Sequence, residues 1–189
     1  MPSPVAHMGA ALAVTLALSD PGARVPMRVL VAASVASVAP DLDLLIAVFG
    51  GGLFDGGGLD WHRGPTHSIV GATLLGAICA GVANVRGWAA WLTILCAAHL
   101  HVLFDWSTGD PGAPAHYGVP WAWPFSAEKS IDPTPWFGAY RIDDAGFLAN
   151  MWAPHALPIY LGELGTVVLL VGLATGARAA RGRRVGAGR

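Results

Sequence analysis

The chain has 189 residues, of which 54% are hydrophobic and only 12% charged, with a mean hydropathy of +0.53 and a net charge of −1. That balance excludes an ordinary soluble domain and points to a protein embedded in a lipid bilayer. No basic stripe is present, which excludes a nucleic-acid partner, and Cys79 and Cys96 lie in apolar runs without CxxC spacing, as small core residues do.

Five apolar segments are expected in chain order, at residues 5–19, 27–49, 67–85, 87–106 and 157–177. They predict an all-α fold, a polytopic membrane helical bundle of four to five apolar helices. One domain covers residues 1–177, and residues 178–189 form a basic cytoplasmic tail. Crossing ~30 Å of hydrocarbon takes ~20 helical residues, so the first segment is short, and Pro40 with two aspartates interrupts the second. A helix broken at membrane depth is tolerated mainly where it lines a site. Residues 1–7 hold no Lys or Arg, so the first segment reads as a retained helix and not as a cleaved signal. Gly50 to Gly58 reads as a turn region, and residues 107–157 as a Pro- and Trp-rich external region.

Orientation follows from the arginines. Arg24 and Arg28 separate segments one and two, Arg86 separates three and four, and Arg178, Arg181, Arg183, Arg184 and Arg189 follow the fifth. Basic loops favour the cytoplasm, so the N-terminus and the loops at 50–66 and 107–157 are expected outside. The same topology gathers His7, Asp41, Asp43, His62, His67, His101 and Asp105 in the outer half of the bundle. Trp61, Trp106, Trp121, Trp123, Trp136 and Trp152 join them, as an interfacial aromatic belt would.

Ionisable side chains in or beside apolar segments cost several kcal/mol unless compensated, and metal ligation is one compensation. His101 and Asp105 are four residues apart, on one helix face and about 6 Å apart along the axis. In a soluble protein such a pair is an ordinary surface contact, but the flanking Ala97, Ala98, Val102, Leu103 and Phe104 argue for ligands. His99 points away from His101 and reads as a packing residue. Asp41 and Asp43 follow Pro40; one suits a helix N-cap, and a second like charge beside it is better explained by a cation. In His62-Arg63-Gly64-Pro65-Thr66-His67-Ser68, Gly64 and Pro65 turn the chain between two imidazoles, and Thr66 or Ser68 can cap the third segment. Arg63 suits the grip of an anion such as phosphate; the plainer reading is a basic loop touching lipid headgroups. His7, alone on a short helix, is the least secured of the set.

The predicted metal ligands are therefore His7, Asp41, Asp43, His62, His67, His101 and Asp105, with Asp41, Asp43 and Arg63 in catalytic roles. Nitrogen and carboxylate donors without thiolates suit Zn2+, with Mn2+ or Fe2+ as alternatives, and the size of the set implies two ions. A dinuclear hydrolytic centre follows.

In order, Pro40-Asp41-Leu42-Asp43, His62 to Ser68, His101-Val102-Leu103-Phe104-Asp105 and Gly118-Val119-Pro120 to Trp123-Pro124-Phe125-Ser126 resemble the YdjM-like family of bacterial inner-membrane proteins, described as metal-dependent hydrolases. The resemblance spans most of residues 1–130, and a His near the start of that family supports His7. It implies a multi-pass inner-membrane protein and gives no support to His116, His155 or Glu128. The order Asp, His, His-x-x-x-Asp is also similar to that of zinc-dependent phospholipase C and related nucleases, which cleave phosphoesters. The expected activity is hydrolysis of a phosphoester, lipid or lipid-linked, with the bilayer as partner. The alternative is a non-enzymatic membrane protein that binds or transports divalent metal. The Ala-, Leu-, Val- and Gly-rich inner halves of the segments disfavour transport.

Overall fold

The computed structural model describes residues 3–44, 62–108, 118–138 and 153–187. The predicted turn at Gly50 to Gly58, residues 45–49 of the second segment, Trp61, Trp152 and His116 lie outside the described residues.

Among the described residues the chain forms five α-helices and no sheet: α1 (Pro4–Leu18), α2 (Met27–Ala36), α3 (Ile69–Val82), α4 (Trp88–Trp106) and α5 (Leu157–Ala187). Short 3-10 turns occupy Ala39–Leu42, Pro65–His67 and Pro154–Ala156. Among the described residues, α4 and α5 are the helices long and apolar enough to cross a bilayer; α1, α2 and α3 have 15, 10 and 14 residues. α2 ends, and α3 begins, where the chain turns to present acids and histidines.

α4 is the hub, packed against α1, α2 and α3, while α5 packs along α1. The interior is built largely from alanine, including Ala32, Ala33, Ala72, Ala80, Ala97 and Ala98 around Ile94 and Val102. Small residues bring helix backbones close, which is how helices associate when lipid competes for every larger apolar side chain. The outer face of α5 carries Leu157, Leu161, Leu164, Val168, Leu169 and Leu173, all exposed. A continuous apolar stripe of this kind fits a lipid-facing helix.

α5 runs to Ala187, past residue 177 where the apolar pattern gives out. Its arginines explain the extension. Arg178 donates to the carbonyls of Asp20 and Ala23, and Arg181 to those of Ala17 and Ser19, so α5 satisfies the C-terminal end of α1.

Pro40 shapes the end of α2. With no N–H to donate, it leaves the Ser37 carbonyl without a helical partner three residues on, and the chain tightens into the Ala39–Leu42 turn. That freed carbonyl is used in the site.

Candidate metal centre

Four elements converge at the end of the bundle opposite Arg86, Arg178 and Arg181. α1 supplies His7, the turn after α2 supplies Asp41 and Asp43, the segment before α3 supplies His62, Arg63 and His67, and the last turns of α4 supply His101 and Asp105. All seven predicted ligands and Arg63 are thus brought together. His7, His67, His101 and Asp105 are almost completely buried, and Asp43, His62 and Arg63 nearly so.

The central group is Asp41, His67, His101 and Asp105. Nε2 of His67 lies 3.1 Å from Nε2 of His101, 3.1 Å from Asp105 Oδ2 and 3.6 Å from Asp41 Oδ1. Nε2 of His101 lies 3.5 Å from Asp41 Oδ1 and 3.7 Å from Asp105 Oδ2. A tetrahedral ion with bonds of about 2.0–2.1 Å holds its donors about 3.3–3.4 Å apart. The donor spacings here bracket that value, so these residues fit a small divalent cation.

Two further observations support the fit. Both oxygens of Asp105 and Oδ1 of Asp41 are buried without a hydrogen-bond partner, although buried carboxylates ordinarily have one. The electrostatic balance points the same way. Among the described residues, three carboxylates, Asp41, Asp43 and Asp105, meet at the site, and one guanidinium, that of Arg63, lies beside them, its Nε 3.3 Å from Asp105 Oδ2. The remaining two negative charges match one divalent ion.

The histidine tautomers are set from behind. Nδ1 of His101 donates to the Ser37 carbonyl at 2.8 Å, which leaves its Nε2 lone pair facing the carboxylates. Nδ1 of His67 faces two acceptors, Thr66 Oγ1 at 3.0 Å and Asp43 Oδ2 at 3.2 Å. Thr66 and His62 also donate to Asp43, at 2.8 and 2.9 Å. Asp43 therefore stands behind His67 as an orienting carboxylate, while Asp41 stands in front of it. Burial lowers the His62 pKa despite its bond to Asp43. Burial would also lower that of His67, but the negative charge of the Asp105, Asp41 and Asp43 carboxylates close to its ring nitrogens outweighs it and raises the value to about 10. Without another cation, the carboxylates hold a proton on this imidazole.

His7 sits at the rim of the group. Its ring stacks on His101 with centroids 3.9 Å apart, and its Nε2 lies 3.6 Å from Asp105 Oδ1. Of the residues outside the predicted set, His99 bonds the Leu95 carbonyl and Thr73 on the outer face of α4, and His155 and Glu128 are exposed.

Local chemistry explains why the chain folds this way. Arg63 adopts a left-handed φ of 56°, a costly backbone for a residue with a side chain, and this aims the guanidinium at Asp105. Ser68 caps α3 by accepting from Gly71 N–H at 2.9 Å. Gly71 lies against the Pro65–His67 turn so closely that a Cβ would fall 2.0 Å from the Pro65 carbonyl oxygen. The motif at Gly118-Val119-Pro120 acts as a strap. Val119 pairs with Ser130, Gly118 lies against the Ser130 backbone, and the Trp121 carbonyl accepts from Ile69 N–H at the start of α3. Of the two candidate caps, Ser68 caps the helix and Thr66 instead bonds Asp43 and His67, while Ser37 and Gly71 had no assigned role from sequence; the glycine and the proline at position 40 were the available signals.

Comparison with known proteins agrees with these motifs. Residues 1–183 match the family described as YdjM inner membrane protein. The chain is 33% identical over 180 residues to Inner membrane protein YbcI of Escherichia coli (strain K12), covering 92% of this chain and 96% of that protein. No solved structure matches. With its match running through every element that supplies the site, the chain belongs to the YdjM inner membrane protein family.

Proposed function

We propose that this protein is a multi-pass inner-membrane hydrolase that uses a divalent metal, most simply Zn2+, against a phosphoester. The observation that carries the reading is the set of buried, mutually facing donors on Asp41, His67, His101 and Asp105. An ion bound there supplies activation of a water for attack and stabilisation of developing negative charge. His67 and His101 present fixed Nε2 lone pairs, Asp43 with Thr66 orients His67, and Arg63 offers positive charge beside the carboxylates for an anionic substrate group.

The two candidate donor groups share His67, whose Nδ1 is taken up by Asp43 and Thr66. This supports one principal ion in place of the pair inferred from the number of ligands. By the positive-inside tendency the arginine end is cytoplasmic and the site faces outward. Phe125 and Trp136 are 90% and 77% exposed on segments that belong to the site end, consistent with headgroup depth and a lipid or lipid-linked substrate.

A transporter would need a polar route toward the arginine end. Among the described residues, the buried polar side chains there include Thr15 and Thr93, and each bonds a carbonyl of its own helix. This favours an enzyme. The test is turnover of a panel of phospholipids and lipid phosphates by the zinc-loaded protein beside His101→Ala. Release of phosphate or headgroup by wild type alone supports the reading, and metal binding without turnover of any member counts against it.

A further inference from the structure

Among the described residues of α5 only Glu163 and Ala174 are buried. A carboxylate on a helix otherwise faced by lipid requires a specific partner. Glu163, 3% exposed, meets the N-cap of α1: Oε1 accepts from the Ser3 backbone N–H at 2.9 Å, and Oε2 accepts from the Ser3 hydroxyl. One turn further on, Gly9 lies so close to Val167 that a Cβ would fall 2.5 Å from its methyl carbons.

α1 and α5 run parallel, with Ser3 beside Glu163 at one end and Ala17 beside Arg181 at the other. α5 thereby places a carboxylate at the positive end of the α1 dipole and guanidinium groups at its negative end. Both ends of a short helix are held by one neighbour.

That helix carries His7. Neither ring nitrogen of His7 has a hydrogen bond, so its aim toward Asp105 and its stacking on His101 depend on where α1 is seated. We propose that Glu163 is a positioning residue: by gripping Ser3 it seats the first turn of α1 and holds His7 over the His101–Asp105 pair. Its consequence for metal affinity rests on the proposed function above; the seating itself does not.

Two readouts on the full-length protein in detergent test this. Diethyl pyrocarbonate labelling, read residue by residue by mass spectrometry, needs no metal. Glu163→Leu should raise modification of His7 several-fold while His101, anchored on the Ser37 carbonyl, stays protected. Unchanged protection of His7, or equal exposure of both histidines, overturns the proposal. If Glu163→Leu yields no folded protein, Ser3→Ala removes one of the two bonds and should raise His7 labelling to a smaller degree; no rise overturns it equally. The second readout is Co2+ affinity in a double-mutant cycle. Glu163→Leu should weaken Co2+ about tenfold in the wild-type background and add nothing in His7→Ala. Equal weakening in both backgrounds shows a general effect on the fold and overturns it. A wild type that binds no Co2+ removes the metal reading and leaves the labelling result to decide on Glu163.

Discussion

Nε2 of His67 and Nε2 of His101 face each other at 3.1 Å, each with its Nδ1 committed behind it, to Asp43 and Thr66 in one case and to the Ser37 carbonyl in the other. Two imidazoles held this way present converging donor atoms toward Asp41 and Asp105. The arrangement separates ligand candidates from the groups that aim them, and that separation is testable.

Asp43 lies on the Nδ1 side of His67, so Asp43→Asn should weaken Zn2+ or Co2+ by about 10–100-fold while still allowing one ion to bind at saturation. Asp41→Asn, which alters a donor facing both Nε2 atoms, should weaken binding further. Calorimetric titration of both variants compares the two positions directly.

Metal binding must displace the proton that the surrounding carboxylates hold on His67, whose pKa is about 10. Because the raised pKa favours the protonated form throughout the neutral range, apparent metal affinity should rise with pH by about tenfold per unit between pH 7 and 9. About one proton should be released per ion. Titrations in buffers of different ionisation enthalpy count it, and flat affinity with no proton release would show that no proton is displaced from His67.

Gly71 marks the closest approach between α3 and the turn that bears His67. Gly71→Ala should destabilise the protein by about 1–3 kcal/mol through overpacking against Pro65. Gly81→Ala, at a position with open space around a Cβ, should leave thermal stability nearly unchanged. Thermal unfolding of the two variants side by side reads the difference.

Much of the candidate site was legible in the sequence because metal-type residues in apolar surroundings are costly and therefore conspicuous. The i, i+4 spacing of His101 and Asp105 fixed their shared face, and Pro40 announced the break after α2. The different positions of Asp41 and Asp43 were not legible. They straddle the two nitrogens of one imidazole, an outcome set by the 3-10 turn, which the Pro-Asp-Leu-Asp spacing alone does not give. Ser3 and Glu163 are 160 residues apart, and neither belongs to a motif. That the helix continues through the basic tail was not legible, because its last turns are held by arginine-to-carbonyl bonds, which hydropathy does not register.

Orientation rests on where the arginines gather. Cysteine substitutions in the Cys79→Ala, Cys96→Ala background should separate the two ends: Gly182→Cys should react only with reagents admitted to the cytoplasm, and Phe125→Cys with an impermeant reagent added to intact spheroplasts. The opposite pattern would place the site inside.

The most direct measurement is the metal content of the detergent-purified protein by elemental analysis, wild type beside His101→Ala and Asp105→Ala, after reconstitution with zinc and removal of loosely held ions. Wild type should retain about one equivalent and each variant markedly less, since each lacks one of the four converging donors. Wild type with no retained metal, or variants that hold as much as wild type, would contradict a metal centre built on Asp41, His67, His101 and Asp105.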